Sequence, residues 1–249
     1  MATWVIGDVH GCFDDFIKMI NHKDIQPEDN IILIGDIIDR GPNSYKMIQW
    51  AIEHVSQSGK YQMVCGNHED NIINDFNRCK HHVEKRWCSS SVHSLADMDI
   101  CEMHTDYDFT SYMYAEGFET VESVRSIVDW FKSLPLYKNV AVTNKNGQTK
   151  HYTIAHAWYG PKLSRDDIVW YRDINNFTNA LEGDYRPKSD EILVHGHTPT
   201  LIINVPNKEP SSDILIRDHS INIDCGCVFR QYGGKLAAIR LEDLHTIYV

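Results

Sequence analysis

Five short stretches of this chain each end an apolar run in residues that can hold a metal ion or move a proton. They are VIGDVHG with Asp8 and His10, LIGDIIDRG with Asp36, Asp39 and Arg40, MVCGNHE with Asn67 and His68, TIAHA with His156, and LVHGHTP with His195 and His197. Asp8 and His10 stand two apart, so an extended segment points both side chains to one side. Carboxylate, imidazole and amide oxygen together suit a divalent ion that needs no thiolate. Arg40 adds a planar fork able to grip a phosphate through two bonds, which a lysine cannot copy. Taken alone, each stretch reads as a polar turn, and Asp39–Arg40 as a surface ion pair of little energetic weight. Five such endings in one chain point instead to one site.

Gathering these residues requires strands that all end at the same rim. Trp4 to Ile6, Ile31 to Ile34 and Gln62 to Cys65 read as short buried strands. Between them, Phe13, Phe16, Ile17 and Ile20, and then Met47, Ile48, Ala51, Ile52 and Val55, carry helical spacing. Strands alternating with such helices imply a parallel sheet, whose carboxyl ends form a ligand-binding edge. Glu69 onward looks helical. Val121, Val124, Ile127, Val128 and Phe131 form another helical face that stops at Pro135. From Lys138 the chain turns to β: VAVTNKNGQTKHYTIAHA predicts a hairpin around Asn146-Gly147. Ile192 to Val194, Ile221 to Ile223 and Leu236 to Leu241 read as further strands, and Pro199 to Asp218 as a polar loop.

Together GDVHG, GDIIDRG, GNHE, the single histidine of TIAHA and HGHTP resemble the calcineurin-like metallophosphoesterases. More narrowly they are similar to the phosphoprotein phosphatase family of serine/threonine phosphatases in its short bacterial and phage form. The resemblance implies an α/β fold, a four-layer α/β/β/α sandwich with two mixed sheets and a dinuclear metal site at strand ends. It implies that Asp8 and His10 bind one metal, that Asp36 bridges both, and that Asn67, His156 and His195 complete the second. Manganese is the ion expected first, with iron or zinc as substitutes. His68 becomes the general acid, Asp39 its orienting carboxylate and Arg40 a phosphate ligand. Arg172, in VWYRD, is expected to be a second phosphate-binding arginine, with an Arg172–Asp173 turn as its structural alternative. His197 resembles the family's second histidine without being assigned as a ligand, and Asp224-Cys225-Gly226 falls near the rim without a catalytic role. The implied reaction is direct in-line attack on a phosphomonoester by a hydroxide bridging two metals.

The chain has 249 residues and a formal net charge of −11, which argues against general nucleic-acid binding or an anionic membrane as partner. Two divalent ions beside the site's carboxylates would make a local cationic hole for a phosphorylated substrate. No run of about 18 apolar residues occurs, and MATWVIGDVHG shows no basic, apolar leader, so a cytoplasmic protein off the membrane is expected. The seven cysteines are read as free thiols. A single domain spanning 1–249 is expected, with a variable cap inserted at about 79–117. Cys79, His81, His82 and Cys88 match no standard zinc spacing and are read as ordinary cap residues.

These features favour a protein serine/threonine phosphatase, with phosphotyrosine as a further target and small phosphoesters as substrates in vitro. The alternative within the fold is a symmetrical diadenosine tetraphosphate hydrolase, suggested by the MATxxIGDVHGC-like opening. Asp39 and Glu69 weigh against it, because that group characteristically replaces the second aspartate and carries GNHD. A non-catalytic metal-binding scaffold is disfavoured by the full set of ligands and the retained His68.

Overall fold

Three consecutive residues of the first strand show how the chain is layered. Trp4 and Ile6 enter one apolar cluster, while Val5 between them enters another, and all three are fully buried. Period-two alternation of this kind, with both faces apolar, marks a sheet covered on both sides. The structure, a computed structural model, describes residues 1–87, 121–160, 163–171, 191–203, 209 and 211–249.

Strands β1 (Thr3–Ile6), β2 (Asn30–Leu33) and β3 (Tyr61–Met63) run parallel, with α1 (Phe13–Ile20) and α2 (Ser44–His54) as their crossovers. Strands β9 (Ala237–Arg240) and β10 (Thr246–Tyr248) extend this sheet antiparallel, in the order β10-β9-β1-β2-β3. The second sheet has the order β4-β5-β6-β8-β7. In it β4 (Tyr137–Thr143) and β5 (Thr149–Ala155) make the expected hairpin. Strands β5, β6 (Glu191–His195) and β8 (Ser220–Asn222) are parallel, and β7 (Leu215–Ile216) closes the edge antiparallel. The polar stretch expected as a loop over Pro199 to Asp218 therefore contains this two-residue strand.

Three apolar clusters separate the layers. Phe16, Met19, Met47, Ile48, Ala51, Val128 and Phe131 pack α1, α2 and α4 (Val121–Ser133) on the outer face of the first sheet. Val5, Ile32, Ile154, Val194 and Ile221 fill the space between the sheets. Ala155, Trp158 and Leu193 meet Ile168 of α5 (Arg165–Trp170) on the far side. Helix α5 starts at a capping box in which Ser164 Oγ accepts the Asp167 amide and the Asp167 carboxylate accepts the Ser164 amide. The arrangement is the four-layer sandwich with two mixed sheets.

Helix α3 runs Asn67–Trp87, so the cap expected at 79–117 begins inside a helix, and 88–117 lie outside the described residues. Cys88 and Arg172 lie outside them too. Cys12, Cys65, Cys225 and Cys227 are free thiols. Among the described residues, no helix is long and apolar enough to cross a membrane.

Candidate active site

The five motifs meet where the parallel strands of both sheets end. Asp8 follows β1, Asp36 follows β2, Asn67 opens α3 just beyond β3, His156 follows β5, and His197 lies two residues beyond β6. Two groups of metal-capable side chains result, and they share one residue. His10, Asp36 and His68 bring ligand atoms within 4.8 Å of one another, and so do Asp36, His156 and His197.

The backbone is bent to achieve this. Among the described residues, positive φ outside glycine occurs at His10 (46°), Asp36 (49°), Asp39 (66°), Arg40 (65°), His197 (67°) and Leu244 (60°). All but Leu244 belong to the motifs. Such conformations cost about 1–3 kcal/mol each and persist where surrounding contacts enforce them. Here the enforcement is visible. The Glu69 carboxylate accepts the amides of Asp36 (2.9 Å), Ile37 (3.0 Å) and Gly66 (2.9 Å), tying the ends of β2 and β3 together. Asp36 Oδ1 accepts the His68 amide at 3.0 Å, placing its charge at the N-terminus of α3. Gly66 must be glycine for this approach, since a Cβ there would stand 2.3 Å from Asp36 Oδ1.

Hydrogen bonds also set the imidazoles. His10 Nδ1 donates to Ile38 O (2.9 Å) and His156 Nδ1 to Ile34 O (2.9 Å), so each Nε2 lone pair turns inward. His156 Nε2 then faces two oxygens, Asn67 Oδ1 at 2.9 Å and Asp36 Oδ2 at 3.3 Å. His197 Nδ1 is 2.7 Å from the same Asn67 Oδ1. A lone pair meeting two acceptors calls for a positive charge between them. Burial resists charging His156, but Asp36 lifts its pKa to about 10. The same charge holds Asp36 well below the usual carboxylate range against its burial, with His156 and then His68 responsible. For His10, burial dominates and lowers the pKa to about 3.

Asp8 makes the case for a cation most directly. Its Oδ2 accepts the His197 amide at 3.0 Å, while Oδ1 is buried with no hydrogen-bond partner among the described residues. Burial, and next the neighbouring Asp224, push its pKa well above normal. Gly196 leaves the room this oxygen occupies, because a Cβ there would lie 2.1 Å from Oδ1. Asp8, Asp36, Glu69 and Asp224 are all buried in one region, and several desolvated carboxylates in one region need countercharge. The donor set fits divalent metal.

His68 lies 2.5 Å through Nδ1 from Asp39 Oδ2, and its Nε2 is 3.9 Å from Asp36 Oδ2. Burial opposes its charged form, but Asp36 and then Asp39 raise its pKa above the ordinary value. Arg40 is exposed, and its guanidinium contacts His10 Nε2 at 2.8 Å.

The structure brings His197 into this group, whereas His195 joins neither metal-capable group among the described residues. Along β6, Val194 faces the other sheet while Leu193 faces the outer cluster. His195 shares the parity of Leu193, and its ring lies edge-on to Trp158 with centroids 5.9 Å apart. The turn at Gly196 redirects the chain, and His197 takes the inward place. Strand parity in ILVHGH puts both histidines on one face, so only the turn, with His197 at φ 67°, separates them. Asp224, given no role from sequence, stands beside Asp8 with its own pKa raised by burial to about 6. No local pattern announces that partnership.

Comparison with known proteins agrees with this geometry. The chain is 27% identical to the bis(5'-nucleosyl)-tetraphosphatase PrpE [asymmetrical] of Oceanobacillus iheyensis, over 100% of this chain and 92% of that protein. It is 27% identical to a symmetrical bis(5'-nucleosyl)-tetraphosphatase of Methylobacillus flagellatus, over 100% and 95% respectively. A solved protein serine/threonine phosphatase from Saccharomyces cerevisiae shares the fold, with a TM-score of 0.52 and 14% identity over 100% of this chain and 79% of that one. A family model for calcineurin-like phosphoesterases matches residues 1–226, and the chain belongs to that family.

Proposed function

We propose that this phosphoesterase hydrolyses dinucleoside polyphosphates, cutting a phosphoanhydride in substrates of the diadenosine tetraphosphate class. The observation that supports this substrate over a phosphoprotein is the end-to-end likeness to proteins named for that activity. The sequence argument for a phosphoprotein rested on Asp39 and Glu69, and their contacts weaken it. Glu69 is spent on three backbone amides, and Asp39 serves His68. Neither reads what lies beyond the phosphate.

Asp8, His10 and Asp36 are proposed to hold one divalent ion, and Asp36, Asn67, His156 and His197 the other, with manganese as the first choice. His197 thus replaces His195 in the set expected from sequence. When bound, two such ions supply positive charge to the phosphate oxygens and lower the pKa of water. The chain's own groups do the rest. Arg40 offers its exposed fork to a phosphate. Arg172 keeps its proposed role as a second phosphate ligand on sequence position alone. His68, its pKa raised by Asp36 and then Asp39 against its burial, presents Nε2 as the proton donor to the departing oxygen.

The leaving group separates the two substrate classes. A nucleotide departs as a phosphate whose last ionisation lies near pKa ~6, whereas a serine alkoxide needs a proton far more. The test is kcat/KM for diadenosine tetraphosphate and for phosphoserine peptides with manganese, in the wild type and in His68→Asn. A preference for the dinucleotide, with a smaller loss on it than on the peptide in His68→Asn, supports the reading. Preference for the peptide overturns it.

A further inference from the structure

Arg40 belongs to two places at once. Its guanidinium touches His10 in the site, and the residue also lines a cleft of about 380 Å³ beside it. That volume lies within the range of about 300–1,000 Å³ usual for small-molecule clefts. Phe13, Pro42 and Val228 give the cleft apolar wall, Asn43 adds an amide, and Lys18 and Arg230 add cations. Its charged lining is Asp14 and Asp15 against Lys18, Arg40 and Arg230, so this mouth is net positive on a chain of net charge −11.

The lining also gathers Cys12, Asp15 and Cys227 closely enough to suggest a metal. Cations already occupy the carboxylate, however. Asp15 Oδ1 is 3.1 Å from Lys18 Nζ, and Oδ2 pairs closely with Arg230. Two thiols without that carboxylate fall short of the usual four-ligand zinc site. The cleft instead suits an organic anion with a flat apolar end.

We propose that this cleft receives one nucleotide arm of the substrate, with its phosphates passing Arg40 toward Arg230 and its base against Phe13. The inference rests on the dinucleoside reading above and adds the place where the nucleoside is recognised. A bare phosphomonoester would stop at Arg40. A dinucleoside polyphosphate continues into the cleft, which gives the enzyme a reason to prefer it.

The experiment compares kcat/KM for diadenosine tetraphosphate, inorganic tetraphosphate and an aryl phosphate, all with manganese. The proteins are the wild type, Phe13→Ala and the exposed Arg230→Glu, which guards against a folding defect at Phe13. Loss of a base–aromatic stack corresponds to about 5- to 150-fold. Phe13→Ala is expected to lose that on the dinucleotide while hydrolysing both nucleoside-free substrates as before. Arg230→Glu is expected to lose at least about fivefold on both polyphosphates and nothing on the aryl phosphate. Equal losses on all three substrates, or none on the dinucleotide, overturn the cleft assignment. A wild type that turns over no dinucleotide removes the dinucleoside reading, and the cleft assignment with it.

Discussion

The carboxylate of Asp39 and the imidazole of His68 meet at 2.5 Å, Oδ2 to Nδ1, although 29 residues separate them in the chain. The contact fixes the tautomer of His68 and leaves Nε2 facing Asp36. It fits the role proposed for Asp39 as a positioning residue, and Asp39 joins neither metal-capable group among the described residues.

Asp39→Asn tests that division of labour. Removing the charge withdraws one of the groups that raise the His68 pKa. The acid form should then be lost at lower pH, so the alkaline limb of the kcat–pH profile moves toward acid. A fall in kcat of up to about 10²-fold is expected for a weakened general acid, with metal content unchanged. Loss of metal in Asp39→Asn would show that Asp39 acts on the ions instead.

His197→Ala and His195→Ala separate the two neighbouring histidines. His197 contacts Asn67 in the site, whereas His195 packs against Trp158. Elemental analysis should show the metal-to-protein ratio of His197→Ala falling from about two toward about one, as expected when one ion of a two-metal site is lost. His195→Ala should retain both ions and lose stability. The reverse pattern would restore the sequence-based assignment.

The difference between these two histidines shows what the sequence could carry. Asp8, Asp36, Asn67 and His156 were legible because apolar runs end just before them, and the parallel sheet rule then places all such ends together. His195 and His197 share strand parity, so the choice between them depends on the turn at Gly196 that ends β6, which hydrophobic periodicity does not show. The two-residue β7 and the three-residue β10 are too short for periodicity to register. Asp224 and Glu69 escaped for another reason: their roles lie in long-range contacts to Asp8 and to the turn at Asp36.

Glu69 should behave as a structural clasp. Glu69→Gln replaces one acceptor oxygen with a donor, setting it against backbone amides that now bond the carboxylate. Leaving one or two buried N–H groups unsatisfied costs about 2–4 kcal/mol. Urea denaturation of the apoprotein should show that loss, and manganese affinity should fall because Asp36 is no longer held. Unchanged stability with altered substrate preference would mean that Glu69 reads substrate.

Asp29 provides a test of stability away from the chemistry. Its carboxylate is buried and accepts Ala2 N at 2.6 Å, Gln26 N at 3.0 Å and Trp4 Nε1 at 3.1 Å, fastening β1 to the loop before β2. Burial resists its charge, yet these three donors hold its pKa below the ordinary carboxylate value. A depressed folded pKa contributes stability that is complete above the unfolded pKa of about 3.9 and is lost as pH falls through the folded value. Asp29→Ala should therefore cost about 2–4 kcal/mol at pH 7, through three donors left without their acceptor. The gap from wild type should narrow in urea melts below about pH 4, as the wild-type carboxylate takes up its proton. A gap that widens in acid would mean that the carboxylate is strained by burial and not held by its donors.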